Sequence, residues 1–317
     1  MPDRILDRGE ELSKADDARP KRGYALPMSK RREKIERGKA LTAQSWNVLK
    51  SDASLLLFPV LSTISGIVAV AVVCIPTMGF RGVWKVVDNK HPVAYIIATH
   101  DPTYYIAAVA SVFVATFIGV FFNVALAACA TRSLRGEDTS VSEGFSAALG
   151  RIGPILGWTL VTTTVGLILK MLEEYVGFAG RIAVWIAGAA WSIATFFVVP
   201  VVALEGSGPL EALKRSAAVV KARWGEGATG AIIITAASGF ANVAIVLVGV
   251  VGFMLLSRAP LVGAVIIAVA AAAFLAVIVV SSALNQIFRV AVYQYAANGT
   301  APGGFDGREL EAAFDRH

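Results

Sequence analysis

Four residues of one segment have the types that a metal or acid–base site needs: Asp88, His91, His100 and Asp101, all between residues 77 and 103. Imidazole and carboxylate are acceptable zinc ligands. Their spacing follows no closed-site pattern, however, and such residues are ordinary in a loop outside the membrane. Ser-His-Asp chemistry has less to draw on. The chain holds 3 histidines, the last being His317, and no G-x-S-x-G elbow. No G-x-x-x-x-G-K-[ST] phosphate loop is present either. The sequence therefore predicts no catalytic site, no metal and no cofactor, and a chain that is not an enzyme.

The remaining polar residues suit binding better than reaction. The stretch from Gly208 to Gly227 carries Lys214, Arg215, Lys221 and Arg223 between two apolar runs. Leu210, Leu213, Ala217, Val220 and Trp224 recur at helical spacing and predict one narrow apolar stripe. On that wheel Lys214 and Lys221 flank the stripe, while Glu211, Arg215 and Arg223 point away. Pro209 suits the first turn and Gly225 the end. An apolar stripe with tryptophan and flanking lysines predicts a helix in the headgroup layer. Its partners would be anionic lipid headgroups or another protein, each cation contributing ~1 kcal/mol near an anionic leaflet. Glu205 closes the apolar run before it and is expected to pair with Lys214 or Arg215 or to cap the start of the following helix, and Pro200 is expected to kink or loosen that last turn. Within the apolar runs Asn123, Asn242 and Asn285 stand out. Interhelical hydrogen bonds explain such amides, and a polar pathway would need them to converge.

The elements that position these residues follow from composition. The 317 residues are 56% hydrophobic and only 16% charged, with mean hydropathy +0.65. Ordinary globular chains sit near ~45–50% and ~25%. Six blocks reach the ~20 residues that a bilayer requires: Ser54–Pro76, Tyr104–Ala130, Gly153–Leu172, Ile182–Leu204, Ala228–Leu256 and Pro260–Phe288. Their apolar character is continuous and not alternating, which excludes a barrel. The predicted fold is all-α, a polytopic bundle of six transmembrane helices. Short amphipathic helices precede each hairpin of two spans: Ala40–Asp52, Ser140–Ile152 and the Gly208–Gly227 stretch. Aligned on Leu49, Leu149 and Val220, two of them place a serine four residues earlier, Ser45 and Ser216, whereas the second is looser around Phe145.

Residues 1–36 mix both charge signs without an apolar run and predict a disordered tail rather than a secretory signal. The transmembrane domain is expected over 37–296 and a short tail over 297–317. With six spans both termini share a side. That side collects 23 of the 29 Lys and Arg residues, the other six being Arg81, Lys85, Lys90, Lys170, Arg181 and Arg258. Positive charge marks the cytoplasmic face, so both termini are expected there. The net charge of +6 follows topology and not a recognition face, which argues against nucleic acid. Lys170 and Glu174 have the spacing of an ordinary surface pair. Gly153 to Gly157 is a small-xxx-small pattern, which permits close helix approach within the bundle or in a homo-oligomer.

The stretch "AWSIATFFVVPVVALEGSGPLEALKRSAAVVKARWGEGATG" (Ala190–Gly230), with "SWNVLKSDASLLLFPVL" (Ser45–Leu61), resembles an uncharacterised bacterial six-span integral-membrane family. More distantly it is similar to the membrane domain found beside glycerophosphodiester phosphodiesterase domains. The resemblance implies a multi-pass domain in the bacterial cytoplasmic membrane and implies no reaction. The sequence thus predicts a membrane scaffold that engages lipids or a partner; the alternative is a small-solute or lipid transporter.

Overall fold

The computed structural model describes residues 30–78, 102–223, 228–299, 301–303 and 305. The loop with Asp88, His91, His100 and Asp101 lies outside them, as do residues 1–29 of the N-terminal tail and most of 297–317. Among the described residues every regular element is helical. They are α1 (Lys30–Ser51), a 3-10 turn (Ala53–Leu56), α2 (Leu57–Met78), α3 (Pro102–Ser133), α4 (Val141–Leu149), α5 (Ile152–Tyr175), α6 (Phe178–Ala194), α7 (Val198–Glu205), α8 (Pro209–Arg223), α9 (Ala228–Leu255) and α10 (Pro260–Asn298). Six stretches are long and apolar enough to span a bilayer: Ala53–Ile75, Tyr105–Ser133, Ile152–Tyr175, Phe178–Glu205, Ile233–Leu255 and Pro260–Ala297. The protein is a multi-pass helical membrane protein. Prolines 102, 209 and 260 open their helices, where a missing N–H costs nothing.

The spans form three hairpins, α2–α3, α5 with α6–α7, and α9–α10, joined through α4 and α8. Here α4 packs chiefly on α3, and α8 packs on α7, α5 and α6. Both therefore dock on the hairpin that precedes them. The third hairpin is covered by α1, which packs on α9 and α10 and closes the arrangement. The buried side chains gather at this connector end. They come from the start of α5 (Ile155, Trp158), all of α7 (Val198, Val201, Val202) and the last turns of α10 (Phe288, Val292, Tyr293), around α3 (Val124 to Ala127). The opposite, tip halves are open: α6 buries no residue, and Phe240, Phe253 and Leu261 are largely exposed. Lipid tails are as apolar as these side chains, so hairpin tips need no protein cover.

Local chemistry fixes the connectors. Asp52 caps the 3-10 turn that opens the first span by accepting from the Ser54 amide at 3.2 Å, and it accepts from the Thr139 hydroxyl at 2.5 Å, tying the two connector regions together. α4 opens with a capping box between Ser140 and Glu143. Its Gly144 is required by close approach: a Cβ there would stand 2.5 Å from the Phe58 ring and 2.8 Å from Cys129 Sγ. At the tip of the third hairpin, a Cβ on Gly263 would stand 2.7 Å from the Gly252 carbonyl oxygen.

Candidate functional site

The fourth span is broken. α6 ends at Ala194, residues 195–197 form a turn, and α7 restarts at Val198. The break lies one turn before Pro200, because the proline ring clashes with the carbonyl four residues back and offers that carbonyl no N–H. Ser216 of α8 repairs it. Its hydroxyl donates to the Ala194 carbonyl at 2.7 Å and accepts from the Phe197 amide at 3.0 Å. Two backbone groups freed by the break are thus satisfied from a neighbouring helix, as a membrane-depth discontinuity requires.

That bond sets the roll of α8. Its buried side chains are Ala212, Ser216, Val219 and Val220; of the expected stripe Val220 is buried and Leu213 and Ala217 are half-buried. Leu210 is exposed. Helical geometry then turns Lys214 and Lys221 directly away from the bundle, and both are exposed. Arg215 turns instead toward the end of α7. The register of the three connectors is corrected in the same way. Leu49 and Val220 are buried, but Leu149 is exposed and Ala148 takes its place. Each connector then buries a small residue four positions before an apolar one: Ser45, Gly144 and Ser216.

Glu205 is the polar centre of this end. Tyr293 of α10 donates its hydroxyl to Glu205 Oε1, and Arg215 Nε lies 3.4 Å from the same oxygen. The expected pairing of Glu205 thus falls to Arg215. The Arg215 guanidinium also meets the Tyr293 hydroxyl, which together with Glu205 raises its pKa above the ordinary arginine range. Gly206 follows in the left-handed region, φ 68°, and ends α7 by returning its N–H to the Val202 carbonyl. The Arg151 guanidinium rests on Gly206 where a side chain would project, and its Nη2 lies 3.5 Å from the Leu204 carbonyl oxygen.

Two of the three amides bond within their own helices. Asn123 donates to the carbonyl of Gly119 in its own helix at 2.8 Å, and Asn285 donates to that of Ser281 at 3.0 Å. The cavity of about 70 Å³ that Asn123 lines, with Ser62, Thr63 and Ser282, includes neither Asn242 nor Asn285. Lys170 pairs with Glu173 at 3.2 Å, one residue short of the expected Glu174. Gly157 serves packing within the chain, since a Cβ there would stand 3.0 Å from Pro209. Trp224 lies outside the described residues, and of Arg223 only the backbone is described. Sequence reasoning missed Ser216 as a helix-break partner, Tyr293 as the Glu205 partner, and Arg289. The last lies over the Phe196 ring at 4.6 Å with its Nε buried and without a hydrogen-bond partner. For Ser216 the available signal was a proline one turn beyond a candidate break, opposite a hydroxyl on the next helix.

No curated protein and no solved structure matches this chain. A family of unknown function (DUF6159) matches residues 103–304, from the second span to just beyond the last and including the whole α7–α8 region. The match covers more than half of the sequence, and the chain belongs to this family.

Proposed function

We propose that this protein is a non-enzymatic membrane scaffold whose α8 helix presents cations to anionic phospholipid headgroups. The observation that carries this reading is the orientation of α8. A buried serine bonded across a helix break fixes its roll, and that roll turns Lys214 and Lys221 away from the bundle. Compact ammonium groups on long stems, beside the exposed Leu210, match a headgroup layer above acyl chains. Trp46 of α1 adds a second anchor of the same kind: it is exposed, and the Lys50 ammonium lies 5.5 Å from its ring centre.

The connector end is then the cytoplasmic face, consistent with the excess of Lys and Arg on that side, and both termini are cytoplasmic. The motif spanning residues 190–230 makes the bacterial cytoplasmic membrane the natural setting; the likeness to phosphodiesterase-associated membrane domains rests on that motif too and brings no reaction with it. Transport is the weaker reading, since Asn123 and Asn285 bond their own helices.

The test is a flotation assay with anionic and zwitterionic lipid on purified protein in nanodiscs, comparing wild type with Lys214→Glu/Lys221→Glu. Two cations at ~1 kcal/mol each predict about 30-fold weaker recruitment of anionic lipid. Equal recruitment by both proteins would sink the reading. Loss of a co-purifying protein instead of lipid would move it to a protein partner.

A further inference from the structure

Between α2, α3 and α10 lies a cavity of about 70 Å³, inside the membrane-crossing stretches of all three. Ser62, Thr63, Asn123 and Ser282 line it, and polar atoms form a large part of its wall. Polar side chains at this depth can satisfy themselves within their own helix, and two of these do so in part. Thr63 donates to the Pro59 carbonyl at 2.8 Å, and Asn123 Nδ2 donates to the Gly119 carbonyl at 2.8 Å. A carbonyl only accepts, so the second bond fixes the amide. Asn123 Oδ1 is the atom left over, and it meets no donor among the described residues. Ser62 and Ser282 go further. Their chain neighbours Thr63 and Ser281 each bond the carbonyl four residues back, Ser281 to Val277 at 2.6 Å. The Ser62 and Ser282 hydroxyls instead make no hydrogen bond among the described residues. These three oxygens keep accessible surface; the sealed, unpartnered atoms among the described residues lie elsewhere, at Thr163, Asn242, Gln286, Arg289 and Gln294.

Size and chemistry together narrow the occupant. A single water needs about 10–15 Å³ of such space and an organic ligand about 300 Å³ or more. The cavity therefore admits an ion or a few waters, and no headgroup or solute. Its wall offers oxygens. Asn123 Oδ1 can only accept, Thr63 has already placed its proton and presents lone pairs, and the two serine hydroxyls can rotate to do the same. No lysine, arginine or histidine lines the space to neutralise an anion. No aspartate or glutamate lines it either, whereas calcium and magnesium draw on carboxylates. Uncharged oxygens can replace the hydration shell of a monovalent cation inside a membrane protein. We infer that this cavity binds a monovalent cation, sodium or potassium, held by Ser62, Thr63, Asn123 and Ser282. The ion ties α10 of the third hairpin to the α2–α3 hairpin. The site is independent of the headgroup reading, because no residue of α8 takes part.

The test uses the full-length protein in detergent. Melting temperature is followed against sodium chloride and potassium chloride, with choline chloride at equal ionic strength as the control and calcium chloride as the divalent comparison. Binding of radioactive sodium, or of rubidium in place of potassium, is measured directly. A saturable rise in melting temperature with sodium or potassium over choline supports the site and identifies its ion. Ser62→Ala and Ser282→Ala should each weaken ion binding by ~10-fold or more, since even the outer partners of ion ligands are worth that much. Ser281→Ala and Lys214→Glu/Lys221→Glu should leave it unchanged. Asn123→Leu should abolish it. If that variant fails to fold, the serine variants carry the test, because each removes a hydroxyl that bonds nothing else among the described residues. The inference is overturned if melting is the same in sodium, potassium and choline chloride, which would leave the cavity to water. It is overturned equally if only calcium acts, or if both serine variants bind the ion like wild type.

Discussion

Ser216 holds together two helices that proline chemistry separates. Replacing it with alanine removes a donor to Ala194 and an acceptor for Phe197 and leaves both backbone groups buried. Each unsatisfied group costs about 1–3 kcal/mol, so Ser216→Ala is expected to lower the melting temperature in detergent clearly. An alanine at the less buried Ser207 should do so far less. Glu143 makes a pH-dependent prediction. The Ser140 backbone amide is the leading cause that holds its carboxyl below the ordinary range, with Arg132 adding to it. A depressed carboxylate contributes stability above its unfolded pKa and loses it as pH falls through the folded one. Stability of the α4 region should therefore drop on acidification below the ordinary carboxylate range, and Glu143→Gln should flatten that limb of a melting-temperature profile. At this scale the sequence showed part of the answer. Glu205 and Arg215 lie ten residues apart, close enough to pair by inspection. Tyr293 is 88 residues away, and no local pattern links it to Glu205.

The connector helices are the elements that give the bundle its form, and their faces were only half legible. Hydrophobicity alone rolled α8 toward Leu210, which is exposed, because a serine counts as polar on any wheel. Ser216 is buried through its two backbone bonds, a tertiary reason that periodicity does not carry. The second connector shifted by one residue for a related cause: Gly144, having no side chain, is the contact against Phe58, and it leaves no hydrophobic mark. A leucine at Gly144 has no room there. Overpacking of this kind costs about 1–3 kcal/mol, and Gly144→Leu should lower the melting temperature by a comparable amount to Ser216→Ala. α1 offers a test of the closed arrangement. Among the described residues it packs on both helices of the third hairpin, as α4 and α8 dock on the first two, so deleting residues 30–51 should expose the α9–α10 connector end to limited proteolysis. The same cleavage pattern in full-length and truncated protein would show that α1 does not cover it.

For the whole molecule, six apolar runs predicted six spans with little ambiguity, since span length is set by the bilayer and charge is excluded from it. What composition could not show is that the packed core lies at one end, with the hairpin tips left to lipid. That asymmetry makes the connector end the packed end of the protein, and α8 carries Lys214 and Lys221 on its exposed side there. Native mass spectrometry of the protein released from its own membrane, wild type beside Lys214→Glu/Lys221→Glu, tests the headgroup reading most directly. The account predicts anionic phospholipid adducts on the wild type that are strongly depleted on the variant at unchanged fold. Identical adducts on both proteins would contradict it.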